Sequence, residues 1–176
     1  MSDIRGTVTE DQGLLKKIQL VIPGYKGYRE REDLRVADSL LRNQLANEMD
    51  NVVESVKRSR EELTKNMEMD LMNDVGELVN NMDAMANKIR HAQQGYSGFS
   101  ADLRIEQQEL NHLYHWDLSL LEIIEVLKSK TMGLEEQVIQ KSDDVKTSIR
   151  ELKLDVNKFN ELFKRRIETI TGISIK

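Results

Sequence analysis

Apolar residues recur with helical spacing along nearly the whole chain. The first run begins after Thr9, whose hydroxyl fits a helix N-cap, and ends at Pro23. One face of this run predicts a short amphipathic helix over residues 10–22, and its apolar residues are Leu14, Leu15, Ile18, Val21 and Ile22. We therefore divide the chain into an N-terminal tail with this short helix, 1–22, and a helical bundle, 23–176.

Two different hydrophobic repeats follow between residues 29 and 94. Apolar residues first recur every eleven residues, as in a nearly straight helix, and then every three or four, as in a heptad seam. The change falls near Asn66, where no glycine marks a turn. One uninterrupted helix would be roughly 100 Å long. We expect a hairpin of helices at 29–65 and 68–94, with a single long helix as the alternative.

The second half of the chain predicts two more helices. A loop rich in glycine and aromatic residues precedes the first, which is expected over 101–129 with Ser100 as its N-cap. This helix is apolar on nearly every side in its second half, so it should be central in the fold. A turn is predicted at 129–133, and a last helix over 134–171 is expected to end at Gly172.

These patterns predict an all-α fold, an elongated antiparallel four-helix bundle with coiled-coil-like seams and a short N-terminal helix. Helices joined by short connections alternate up and down. The alternation brings the start of the first long helix and the end of the last to the same end of the bundle. The 4 Tyr, 3 Phe and 1 Trp all fall in that half or at its midpoint, together with the glycines of both loops. We call this the Gly/aromatic end.

We interpret the Gly/aromatic end as a candidate partner-binding surface. Tyr and Trp offer apolar area with a polar tip, which suits protein contacts. A wide bundle end that needs bulky filler explains the same pattern, so both interpretations stay open. Asp117 joins the set because it falls on the apolar seam between Leu113 and Leu120, where a carboxylate needs a partner or a place at the rim. The candidate anchors are Tyr25, Tyr28, Tyr96, Phe99, Tyr114, Trp116 and Asp117.

Composition narrows the possible chemistry. The 176 residues carry 26 Lys and Arg against 31 Asp and Glu, a net charge of −5, and no cysteine. Without thiols, disulfides, cysteine-based zinc sites and cysteine nucleophiles are excluded. The acidic balance argues against a nucleic-acid partner. No apolar run is long enough to span a membrane and no signal-peptide core follows Met1, so we expect a cytoplasmic protein.

One helical face carries residues typical of metal-binding bundles. Glu109 and His112 form a Glu-x-x-His pair, and His115 follows three residues later. Di-iron bundles need a second such pair and two further glutamates, and this chain has no second pair. A metal-binding or enzymatic bundle built on these three residues is therefore an alternative function, and we expect no cofactor.

The N-terminal helix offers another alternative, a peripheral membrane protein. Lys16 and Lys17 lie beside Leu14, Leu15 and Ile18, a pattern compatible with a helix on a membrane surface. Two lysines contribute only about 1 kcal/mol each to lipid attraction. Packing of this helix onto the bundle is therefore favoured over membrane binding.

Two sequence blocks resemble an uncharacterised family of prokaryotic all-helical proteins. The first block is residues 22–33, which contain the Pro-Gly-Tyr-Lys-Gly-Tyr loop at 23–28, followed by residues 35–42. The second comprises Gly-Tyr-Ser-Gly-Phe at 95–99 and the run at 109–121. The similarity extends over about residues 14–130. It implies a cytoplasmic all-α protein without known catalytic residues, and it carries over no mechanism.

The sequence thus predicts a non-catalytic helical interaction or scaffold protein that captures a protein partner at the Gly/aromatic end. Long apolar seams with few aromatics bury area best against another helix. We therefore expect a homo-oligomer, in the simplest case a symmetric dimer. The identity of any other protein partner does not follow from the residues.

Overall fold

The structure, a computed structural model, describes residues 4–28, 31–92 and 107–175, with side chains over 13–28, 35–92 and 109–171. All regular structure in these ranges is helical. The helices are α1 (Ile4–Val21), α2 (Arg31–Lys65), α3 (Met69–His91), α4 (Gln107–Ile139) and α5 (Val145–Ile175). The predicted all-α bundle with an N-terminal helix is confirmed.

The four long helices form two antiparallel hairpins that lie side by side. α2 pairs with α3 and α4 with α5, while α2 also packs on α4 and α3 packs less closely on α5. α2 and α4, the first helices of the two hairpins, run parallel to each other. The ion pairs Glu48–Lys128 and Arg58–Glu135 show this, because the later residue of α2 pairs with the later residue of α4. The two turns therefore lie together at one end, and the Gly/aromatic end lies opposite.

The reversal of the chain near Asn66 is confirmed. The amide of Glu68 donates to the carbonyl of Leu63 at 3.1 Å, and the amide of Met67 donates to the carbonyl of Thr64 at 3.1 Å. This pair of bonds is a Schellman motif, which ends a helix with one residue in the left-handed conformation. That residue is Met67, with φ of 60°. A methionine holds the position that glycine usually takes, so the sequence showed no glycine there.

The turn between the last two helices lies further along the chain than predicted. α4 continues through 129–133 to Ile139, and a second Schellman motif follows, with Lys141 at φ of 55°. Buried residues continue on the same face of α4 beyond Gly133, at Leu134 and Val138. A glycine inside a helix costs only about 1 kcal/mol, which burial of this face offsets.

Other helix bounds also differ from the expected ones. α1 begins at Ile4, α3 ends at His91, and α5 continues past Gly172 to Ile175. Glycine permits a helix end but does not force one when the neighbouring residues favour the helix. The predicted start of the third long helix at residue 101 lies outside the described residues.

The core runs between the two hairpins and extends under α1. Among the side chains described from residue 13 to residue 22, Leu14, Ile18 and Ile22 are the buried apolar ones. The loop after α1 then carries Tyr25 and Tyr28 into the interior. The N-terminal helix is thus packed on the bundle, against α4.

Candidate functional site

A buried polar cluster lies at the Gly/aromatic end, at the level where α3 ends. Two arginines, two aspartates and two tyrosines meet there, contributed by the loop, α2, α4 and α5. None of the six is more than 8% exposed. We call this the Asp–Arg–Tyr cluster; its members are Tyr25, Tyr28, Asp38, Arg42, Asp117 and Arg166.

Arg166 is the centre of the cluster. Its Nε donates to Asp117 Oδ1 at 2.6 Å and its Nη1 donates to Asp38 Oδ1 at 2.6 Å. Its Nη2 donates to the hydroxyl of Tyr28 at 2.9 Å. The planar guanidinium can reach several acceptors at once, which an ammonium cannot do in the same geometry. One side chain of α5 therefore binds α2, α4 and the loop.

Asp117 accepts hydrogen bonds on both carboxylate oxygens. Arg166 binds Oδ1, while Oδ2 accepts the hydroxyl of Tyr25 at 2.8 Å and also that of Tyr28. A buried carboxylate is tolerated only when it is paired and hydrogen-bonded, and Asp117 is both. The sequence left a place at the rim open for this residue; the structure gives it an internal partner instead.

Asp38 and Arg42 extend the cluster to the end of α3. Arg42 Nε donates to Asp38 Oδ2 at 2.8 Å, one turn along α2. Arg42 Nη1 lies 3.3 Å from the carbonyl oxygen of Arg90 and 3.5 Å from that of Ile89. The last carbonyls of a helix lack helical partners and carry partial negative charge, so a cation there satisfies them.

The charges of the cluster balance, two positive against two negative. Burial by itself raises the pKa of Asp38, but the nearby guanidiniums of Arg166 and Arg42 outweigh it and leave that pKa lowered. Burial, with the charge of Asp117, raises the pKa of both Tyr25 and Tyr28 well above the ordinary range. The two hydroxyls therefore stay protonated and neutral, and serve as hydrogen-bond donors to Asp117.

Aromatic packing fixes the loop above the cluster. The rings of Tyr25 and Tyr28 meet edge to face with centroids 5.7 Å apart, and Tyr28 stacks on Tyr114 at 5.4 Å. The amide of Tyr28 donates to the hydroxyl of Tyr114 at 3.1 Å. Gly27 has φ of 90°, and a Cβ there would lie 2.5 Å from that same hydroxyl. Only glycine fits this position.

The structure places the seven predicted anchors in three different situations. Tyr25, Tyr28, Tyr114 and Asp117 are brought together, but in the interior, where the polar tip of each has a partner within the chain. Trp116 is half-buried, with the guanidinium of Arg165 6.0 Å from its ring centroid. Tyr96 and Phe99 lie outside the described residues. Four of the anchors thus belong to the core, and none of these four is more than 5% exposed.

Sequence reasoning missed two members of the cluster that carried a detectable signal. Arg166 continues the seam of Phe159, Phe163 and Ile170 in steps of four, three and four. Asp38 likewise falls on the buried face of α2, before Leu41. A charged residue on an apolar seam needs an oppositely charged partner, and Asp117, on the seam of another helix, could provide one for Arg166.

The described residues contain no group of three or more His, Asp or Glu side chains placed to hold a metal ion. Glu109 is half-buried, whereas His112 and His115 are exposed on α4. These three residues do not by themselves form such a group. The described residues therefore give no geometric support to the metal-binding alternative.

Comparisons with protein-family models, with curated proteins and with solved structures found no match to this chain. The resemblance suggested by the two sequence blocks therefore stays a prediction. Within the described ranges, none of the five helices combines the length and apolar character that crossing a bilayer requires.

Proposed function

We propose that this chain is a non-catalytic helical interaction protein whose partner is a second copy of itself, in a symmetric dimer. The observation that supports the proposal is a stripe along α4. Steps of seven, eleven and seven residues place Tyr114, Leu121, Met132 and Ile139 on one face of the helix. The first two are 5% and 4% exposed, whereas the last two are 62% and 61% exposed.

The N-terminal segment covers the start of the stripe, at Tyr114. α1 packs on α4, and a Cβ at Gly27 would contact both Tyr114 and Leu15 of α1. Met132 comes 18 residues after Tyr114 (132 minus 114), a distance of about 27 Å along the helix. The exposed part of the stripe therefore lies further along α4 than the contact with the N-terminal segment, and we call this exposed part the recess.

This shape is self-complementary in an antiparallel pair. A two-fold axis across this face would place α1 of one copy on the recess of the other, and the reverse, which closes the assembly as an isologous dimer. Methionine adapts its shape to irregular partners, which suits such a contact.

Charge supports the same arrangement. The outward face of α1 exposes Lys16 and Lys17 together with the apolar side chains of Leu20 and Val21. Exposed Glu136 flanks the recess on α4. Opposite charges at the rim of an apolar contact fix its register and speed its formation.

Light scattering on gel-filtered protein tests the proposal. We expect the natural chain to have about twice the mass of one 20.4 kDa copy, and Met132→Glu to return it to one copy, since a buried unpaired carboxylate is costly. Leu154→Glu is the matched control, because Leu154 is 68% exposed on α5, away from the stripe, and should leave the dimer intact.

Two results would contradict the proposal. One is a natural chain that stays at the mass of a single copy at concentrations up to hundreds of micromolar. The other is a dimer that Leu154→Glu weakens as strongly as Met132→Glu does, since the contact would then not involve the stripe.

A further inference from the structure

α1 and the loop 22–28 form one N-terminal segment, which we call the strap. Among the described helices, α1 packs on α4 alone, whereas each long helix packs against two others of the bundle. α1 is therefore the described helix with the fewest neighbours in the fold. Regions with few packing partners are those that open locally in proteins.

The strap holds together as a single piece. The side-chain amide of Gln19 on α1 donates to the carbonyl oxygen of Tyr25 in the loop at 2.9 Å. The amide of Tyr25 donates to the carbonyl oxygen of Ile22 at 3.2 Å. These bonds fold the loop back against the end of α1, so the two parts move together.

The strap contributes only neutral groups to the Asp–Arg–Tyr cluster. Its two phenol hydroxyls, on Tyr25 and Tyr28, donate to Asp117, and the Tyr28 oxygen accepts from Arg166. Burial raises the pKa of both tyrosines well above the ordinary range, so neither carries a charge at neutral pH. Release of the strap therefore breaks hydrogen bonds but no ion pair.

The charged part of the cluster is complete without the strap. Arg166 pairs with Asp117 and Asp38, and Asp38 also pairs with Arg42. All four residues belong to α2, α4 and α5. No charge loses its partner when the strap leaves, and water can replace the two hydroxyls. Stranding a buried charge would cost far more.

We propose that the strap opens and closes as one unit on an intact four-helix bundle, with Tyr25 and Tyr28 as its latch on Asp117. In the closed state the latch fills the space above the ion pairs and covers Tyr114. In the open state these groups meet solvent while the two hairpins stay folded. The strap can open in a single copy of the chain, so this device does not require the proposed dimer, although α1 would take part in both.

Native-state hydrogen exchange of the full chain, followed by NMR, tests the proposal. Two amides report on the strap: that of Ile22, which donates to the Ile18 carbonyl at 2.9 Å, and that of Tyr28, which donates to the Tyr114 hydroxyl. Amides inside α2 and α5 report on the bundle. We expect both strap amides to exchange through one common opening, faster than the bundle amides.

Val75→Ala separates opening of the strap from unfolding of the whole chain. Val75 is buried on α3 near the hairpin turn, far from the strap. Its truncation should speed exchange of the bundle amides by about tenfold, since a buried apolar group is lost. The strap amides should keep their natural rates, because this contact survives when only the strap opens.

Tyr25→Phe tests the latch, because it removes one hydroxyl and keeps the ring. The loss of one buried hydrogen bond should speed exchange of the Ile22 and Tyr28 amides by about tenfold.

All measurements are repeated in a Met132→Glu background, so that protection of α1 by a second copy is not mistaken for closure of the strap. An unchanged rate at both amides would contradict the role of Tyr25 as a latch.

The Val75→Ala comparison decides the proposal even if Tyr25→Phe fails to fold. Acceleration of the strap amides by the same factor as the bundle amides would show that the strap opens only when the whole chain unfolds. A Tyr28 amide that follows the bundle while the Ile22 amide does not would show that α1 frays and the latch stays closed. Either result overturns the proposal.

Discussion

At the scale of single residues, several positions of this protein combine an unusual environment or backbone conformation with a clear structural role. Asp117 is a carboxylate on an apolar seam, and it is held by Arg166 on another helix. Gly27 has a conformation and a neighbour that no side chain would tolerate. Met67 and Lys141 have positive φ, at 60° and 55°, where glycine is usual. Asp117, Met67 and Lys141 thus each depart from a local preference, whereas Gly27 follows one.

The left-handed conformation of Lys141 leads to a stability prediction. A side chain in this conformation costs roughly 1–2 kcal/mol, and glycine avoids that cost. Lys141→Gly should therefore raise the free energy of unfolding by about 1 kcal/mol, measured by urea titration. Lys158→Gly is the matched control, because Lys158 is exposed in the middle of α5, where glycine should lower stability by about as much. A Lys141→Gly protein less stable than the natural chain would show that the lysine side chain stabilises the turn.

At the scale of elements, both hairpins end in the same kind of turn without glycine. The second turn pairs the amide of Ser142 with the carbonyl oxygen of Gln137 at 2.9 Å and the amide of Lys141 with that of Val138 at 3.2 Å. Gly133, the residue that predicted the turn, lies within α4 instead. The length of α4 matters for the proposed dimer, because it carries the exposed part of the stripe to Ile139.

Gly133 provides a direct test of the continuity of α4. A Cβ at this position would meet no atom within 4 Å, so alanine fits without strain. Gly133→Ala should raise the free energy of unfolding by about 1 kcal/mol, because alanine favours the helix. Gly27→Ala is the opposing control and should be strongly destabilising. If Gly133→Ala left the free energy of unfolding unchanged or lowered it, the result would indicate that the helix is interrupted there.

At the scale of the whole molecule, the Asp–Arg–Tyr cluster joins both hairpins and the strap at one end. Its ion pairs connect α5 to α2 and α4, while Arg42 also satisfies the end of α3. A balanced set of charges in this position favours one relative placement of the hairpins, since any shift would separate a buried ion from its partner.

The cluster also predicts how stability depends on pH. The pKa of Asp38 is lowered in the folded state, so its contribution is present above the unfolded value of about 3.9 and is lost as pH falls through the folded value. We expect the free energy of unfolding to fall steeply below about pH 4. Asp38→Asn should make that fall shallower, although it lowers stability at neutral pH.

Urea unfolding at a series of pH values, followed by circular dichroism, measures this dependence. Asp143→Asn is the matched control, because Asp143 is exposed in the turn between α4 and α5. The control should keep the slope of the natural chain below about pH 4. A slope for Asp38→Asn equal to that of the natural chain would contradict the prediction.

Much of the fold could be predicted from the sequence, because helical periodicity is a local signal. The change of repeat near Asn66 indicated the first hairpin, and the structure confirms it. The second turn was misplaced, because glycine is a weak stop signal when the buried face continues. The candidate site was predicted only in part. Asp117 and the tyrosines were singled out, but a partner-binding surface and a filled core both stayed open, since a sequence does not show which rings point inward.

The sequence by itself determined that this chain is helical, where most of its apolar faces lie, and that a carboxylate falls on one of those faces. Only the tertiary structure decided that Arg166 pairs with Asp117 across 49 positions (166 minus 117) and that two tyrosines close over the pair. The physical reason is that periodicity depends on neighbours along one helix, whereas the partner of a buried charge depends on how separate helices are placed.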